Sequence, residues 1–232
     1  MSNATLTASV APGISTSLGE KLLNLFVSPG DVFDEVIAAP TRLVNWRVPT
    51  LLACLAGIIL LQMTMAAEQA GAIRQLSGAA MLSQEQTETL SGAWPLVSSL
   101  SVCLAAFVGT LWSAFVLWFI GRVFLRARFS YLKTLEVVGL TGIILVLGTV
   151  VTGLLIATSG DAAARPALSM LGKKLSAGHV RQVLDTLNIF HLWATTVLAI
   201  GLSRLSGVSF KEAVFWVFGY WLCLRIALII LA

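Results

Sequence analysis

Hydrophobic positions in this chain fall in long unbroken blocks, unlike the alternation of a half-buried strand or the narrow stripe of a soluble helix. Asp, Glu, Lys and Arg are absent from 48–67, 89–121, 137–160 and 186–203, and 213–232 holds only Arg225. Each block is about long enough for a helix to cross a hydrocarbon core of roughly 30 Å. Inside a bilayer only helices and closed barrels satisfy their own backbone groups. The pattern predicts an all-α polytopic membrane protein with five transmembrane helices filling 48–232. A further interfacial helix is expected between the third and fourth spans.

Ahead of the first block the pattern changes to short amphipathic stretches in 17–47. Ser28, Pro29 and Asp31 read as the cap, first residue and capping-box acid of a helix that Pro40 stops. Val32, Phe33, Val36 and Ile37 then fall on one side, and Asp31, Asp34 and Glu35 on the other. Leu18, Leu22, Leu25 and Phe26 opposite Glu20, Lys21 and Asn24 repeat the arrangement. The segment is expected to be cytoplasmic and to lie at the membrane surface. Leu22, Phe26, Val32, Phe33 and Ile37 form a candidate interfacial or partner-binding surface, and packing onto the inner end of the bundle is the alternative. Residues 1–16 read as a polar, disordered tail.

Composition agrees: 57% of residues are hydrophobic and only 11% charged, with a mean hydropathy of +0.90, against roughly a quarter charged in soluble domains. The excess of 15 Lys plus Arg over 11 Asp plus Glu therefore reports topology here and not nucleic-acid binding. With the N-terminus inside, nine basic residues face the cytoplasm (Lys21, Arg42, Arg47, Arg122, Arg126, Arg128, Lys133, Arg204, Lys211) and five the other side (Arg74, Arg165, Lys173, Lys174, Arg181). N-in, C-out is the expected orientation. No Lys or Arg precedes Lys21, so a cleaved signal peptide is not expected. Cys54, Cys103 and Cys223 all fall inside the blocks, as apolar packing residues do.

Polar exceptions inside the blocks are the most informative positions, because an ionisable group there must face protein, water or an interface. Arg225 lies about 22 Å along its helix from Phe210. At similar depth in the fourth span stand Asn188 and His191, with Asp185 one turn nearer water, and Glu68 ends the first span. Asp185, Asn188, His191, Arg225 and Glu68 form a candidate polar cluster; snorkelling of Arg225 to the headgroups is the competing reading. The small residues Ala105, Gly109 and Ser113, with Gly139, Gly142, Gly148 and Gly153, predict close helix contacts.

Catalytic constellations fail on geometry. Gly201-Leu202-Ser203-Arg204 is a faint match to an intramembrane serine protease motif, but His191 is about 18 Å away on the same helix. His179 and His191 are the only histidines, too few for histidine-rich metal chemistry. No HExxH, phosphate-binding glycine loop or paired carboxylate site is present. No enzyme activity, cofactor or metal is expected.

The order of features resembles a known family. Ser28-Pro29-Gly30-Asp31-Val32-Phe33, Pro40, Gly121-Arg122, Leu187-Asn188-Ile189-Phe190-His191-Leu192-Trp193, Ile200-Gly201-Leu202 and Ser209-Phe210-Lys211-Glu212-Ala213 are together similar to the Yip1 family, especially its bacterial branch, from about Leu22 to the C-terminus. The resemblance implies five transmembrane helices and no established catalysis. Eukaryotic relatives are associated with small GTPases of vesicle traffic and with membrane shaping, through a long N-terminal region bearing an Asp-Leu-Tyr-Gly-Pro motif. This chain lacks that motif, so GTPase binding does not transfer. The expected function is non-enzymatic membrane organisation or partner scaffolding in the bacterial inner membrane. Lipids, and a protein partner or second copy, are the expected contacts. The alternative is a small transporter or channel for solute, proton or lipid.

Overall fold

The computed structural model describes residues 16–76, 94–168 and 187–231. Seven α-helices account for most of them: α1 Leu18–Asn24, α2 Pro29–Ala38, α3 Val44–Leu76, α4 Trp94–Phe119, α5 Tyr131–Ser159, α6 Ile189–Ser206 and α7 Phe210–Leu231. No strand occurs among the described residues, only an isolated bridge between Ala167 and Asn188. The tail residues 1–15, the expected interfacial helix over 169–186, and Asp185 lie outside the described residues.

Four helical stretches are long and apolar enough to cross a membrane: Val44–Glu68, Leu96–Phe124, Tyr131–Ser159 and Ile189–Ser206. Their outward faces carry Leu55, Ile59, Leu100, Leu104 and Phe115, all exposed, as a lipid solvent requires. α7 is a fifth long helix, packed on α6.

Helix ends follow local chemistry. Ser130 caps α5 by accepting from the Lys133 amide at 3.2 Å, and Gly160 closes it in the left-handed region at φ 64°. Gly207 ends α6 in the same way at φ 72°. α4 runs into a π-helical turn, Ile120–Phe124, where the bare face of Gly121 receives the Phe129 ring. α2 keeps the bounds that Pro29 and Pro40 predict, but its capping box does not form: Ser28 makes no side-chain cap bond. The box forms one helix earlier, where Ser17 and Glu20 exchange hydrogen bonds around the start of α1.

α5 is the hub. It packs against α3, α4 and α6 and also meets α1 and α2, and its Val137, Leu140 and Ile144 are fully buried. Glycines permit the closest approaches. Trp46 of α3 lies directly over Gly139, Phe190 over Gly148, and Val137 and Phe33 over Gly201. Gly109 and Gly142 differ from the contact expectation: a methyl added at either would meet nothing within 4 Å. Both line a partly open groove of about 290 Å³ among α3, α4, α5 and α6.

The N-terminal helices pack their apolar faces onto the bundle. Val32, Phe33 and Val36 are buried in one cluster with Leu25, Leu140, Ile144, Ala194 and Val197. Leu22, Phe26 and Ile37 are half-buried against the same cluster. Val32 and Phe33 of the candidate interfacial or partner surface, with Val36 beside them, are thus turned into α5 and α6, where close packing buries them.

Candidate functional site

The end of the bundle that carries α1 and α2 holds a charge network that starts from Glu136. This residue precedes the uncharged block of the third span by one position, yet α5 begins a full turn earlier, at Tyr131, and buries it completely. A buried carboxylate needs every available donor. Glu136 Oε1 accepts from the Arg42 backbone N–H at 2.6 Å and from Asn45 Nδ2 at 2.9 Å. Its Oε2 has Lys133 Nζ at 2.8 Å, a close ion pair without hydrogen-bond alignment. That ammonium also donates to Val36 O at 2.6 Å and Ala39 O at 2.7 Å. It thereby neutralises the carbonyl end of the α2 dipole as well as the carboxylate.

Two further ion pairs hold the same end. Lys21, read as part of a polar face, is instead 3% exposed and lies 3.1 Å from Glu35. The Thr16 amide and hydroxyl both donate to the Glu35 carboxylate. Burial pushes the Glu35 carboxyl up, but the hydrogen bonds from Thr16 and Lys21 and the Lys21 charge outweigh it, and the net effect is a lowered value. Arg204 at the end of α6 reaches Asp34 at 3.0 Å, with both side chains about half exposed. Beside this pair opens a cleft of about 640 Å³ bounded by Pro29, Gly30, Asp34, Ile200, Ser203, Arg204, Gly207, Val208 and Phe210. The Ser203 hydroxyl donates across the α6–α7 turn to Val208 O at 2.8 Å.

At the opposite end the structure brings together two of the five residues of the candidate polar cluster. Arg225 Nη2 lies 3.3 Å from His191 Nδ1, and its guanidinium stands 5.7 Å from the centre of the Trp221 ring. Asn188 is nearly buried, and its Oδ1 caps α6 by accepting from the Phe190 amide at 2.9 Å. Glu68 is exposed on α3 and forms no ion pair among the described residues. Asp185 lies outside them. No group of three His, Cys, Asp or Glu suited to a metal ion occurs among the described residues.

The Lys133–Glu136 lock escaped sequence reading because both residues sit just outside an uncharged block and looked like loop charges. A helix-start signal was nonetheless present in Ser130, three residues before Lys133. The arrangement ties α2, the start of α3 and α5 into one body, and it brings no nucleophile and base together. No curated protein and no solved structure matches the chain. The Yip1 domain model matches residues 23–232, so nearly all of this membrane protein, from within α1 onward, belongs to the Yip1 family.

Proposed function

We propose that the protein is a non-enzymatic membrane organiser or partner scaffold. In this reading α7 is a fifth span, α1 and α2 lie at the cytoplasmic face of a bacterial inner membrane, and the C-terminus is on the other side. The carrying observation is that Lys133, Glu136, Lys21 and Glu35 are consumed in internal pairs that fasten α1 and α2 to the spans. Charges so engaged do not bind and release a cargo; they make the cytoplasmic end a fixed platform.

Because the apolar face of α2 is buried, a protein partner is assigned to the cleft beside Asp34, Arg204 and Phe210, where Phe210 is 46% exposed. The test is reconstitution of purified protein in liposomes, with a photocrosslinking residue at Phe210. Expected are no selective ion or solute flux and a discrete crosslinked species in native membranes. Saturable flux that is lost in His191→Ala or Arg225→Ala would overturn scaffolding in favour of transport.

A further inference from the structure

We propose that Arg225 is the anchor of a phospholipid site: its guanidinium takes the phosphate of a lipid in the leaflet nearest the C-terminal end of α7. This rests on α7 being a span and not on the scaffolding role.

A guanidinium carries five N–H donors in a planar fork. Here one nitrogen is engaged, Nη2 with His191 Nδ1, and one face is over Trp221. No carboxylate pairs with Arg225 among the described residues. Among the described residues the rest of the fork has no partner, in a helix whose remaining residues from Ala213 onward are uncharged. A cation at membrane depth is costly without a counter-charge, and neither an imidazole nor an indole face is an anion.

The position selects the counter-charge. Arg225 lies six residues before Leu231, or about 9 Å of helix, so its guanidinium, held beside His191 and Trp221, stands close below the end of α7, at a depth a headgroup phosphate can approach. A phosphate diester offers two anionic oxygens that match the guanidinium fork in bidentate geometry. His191 holds one edge of the fork and Trp221 one face, so the group is pre-oriented for one lipid and does not sweep the interface. His191 is a positioning residue in this site.

The probe is delipidated full-length protein in detergent, titrated with phosphatidylglycerol, with diacylglycerol of the same chains, and with inorganic phosphate. Bound lipid is counted by native mass spectrometry and the unfolding midpoint is followed. Phosphatidylglycerol is expected to bind at least ten-fold tighter than diacylglycerol and to raise the midpoint. Arg225→Gln should abolish that preference, Arg225→Lys should keep part of it, and His191→Ala should weaken it a few-fold. Equal binding of phosphatidylglycerol and diacylglycerol by the unaltered protein overturns the site, even if Arg225→Gln does not fold. An undiminished preference in Arg225→Gln also overturns it, and full stabilisation by inorganic phosphate alone overturns the lipid as ligand. Labelling of Ile230→Cys by a membrane-impermeant reagent, with the native cysteines replaced, separately reports whether α7 crosses.

Discussion

Removing the carboxylate of the inner lock, Glu136→Leu, should cost about 3–5 kcal/mol, the range for breaking a buried ion pair and leaving one charge uncompensated. Lys133, with a side chain only 14% exposed, then keeps two carbonyl acceptors but no counter-charge. The Arg42 amide and Asn45 Nδ2 lose their acceptor as well, and unsatisfied buried donors cost about 1–3 kcal/mol each, so the upper half of the range is expected. The double variant Lys133→Met/Glu136→Leu removes the stranded charge and should recover about 2 kcal/mol. Undocking of α2 is the local consequence. It can be read by thiol labelling of Val36→Cys, buried at 2% exposure, after replacement of Cys54, Cys103 and Cys223. A loss of 3–5 kcal/mol raises the opening constant by roughly two to four orders of magnitude. A change under about 0.5 kcal/mol in the single variant, the level of ordinary surface substitutions, would refute the buried-lock account. So would a double variant that loses the full sum of the two singles.

Two other outcomes follow from the same packing. Gly139→Ala should destabilise the detergent-solubilised bundle by about 1–3 kcal/mol through overpacking against the Trp46 backbone, whereas Gly142→Ala should be neutral or gain up to about 1 kcal/mol of helix propensity; equal thermal shifts for the pair would contradict the assigned contacts. Since the folded Glu35 carboxyl is lowered below its ordinary value of 4.5, its contribution is present above that pH and is lost as pH falls through the lower folded value; cleavage of the 17–40 segment by an acid-active protease should rise over that window, and Glu35→Gln should remove the dependence.

The long spans were legible because lipid imposes one rule on every residue of a block, and the bounds of α2 were legible because Pro29 and Pro40 act locally. What covers the apolar face of α2 was not. Val32, Phe33 and Val36 look the same in sequence whether headgroups, a partner or α5 and α6 receive them. Glu136 was hidden for a related reason: its donors at Arg42 and Asn45 are 94 and 91 residues away, beyond any periodic pattern. The glycines divide similarly, since Gly139 and Gly142 share one helix but only Gly139 faces the Trp46 backbone. Asn188 was read by its depth, while its position just before Ile189 already marked a helix cap. Depth arithmetic did place His191 and Arg225 near one another, because two helices joined by a tight turn keep their rise in step.

The Lys133 bonds to Val36 and Ala39 also set an order of events during synthesis. The donor follows its acceptors by 97 and 94 residues, so α2 emerges well before the side chain that fastens it. At chain-elongation rates of about 5–20 residues per second, that interval is roughly 5 to 20 s. Throughout it the Phe33 face lacks most of the α5 and α6 residues that bury it in the finished fold. The apolar face of α2 is therefore made long before its neighbours, and it becomes the wedge that closes the bundle only once α5 and α6 exist.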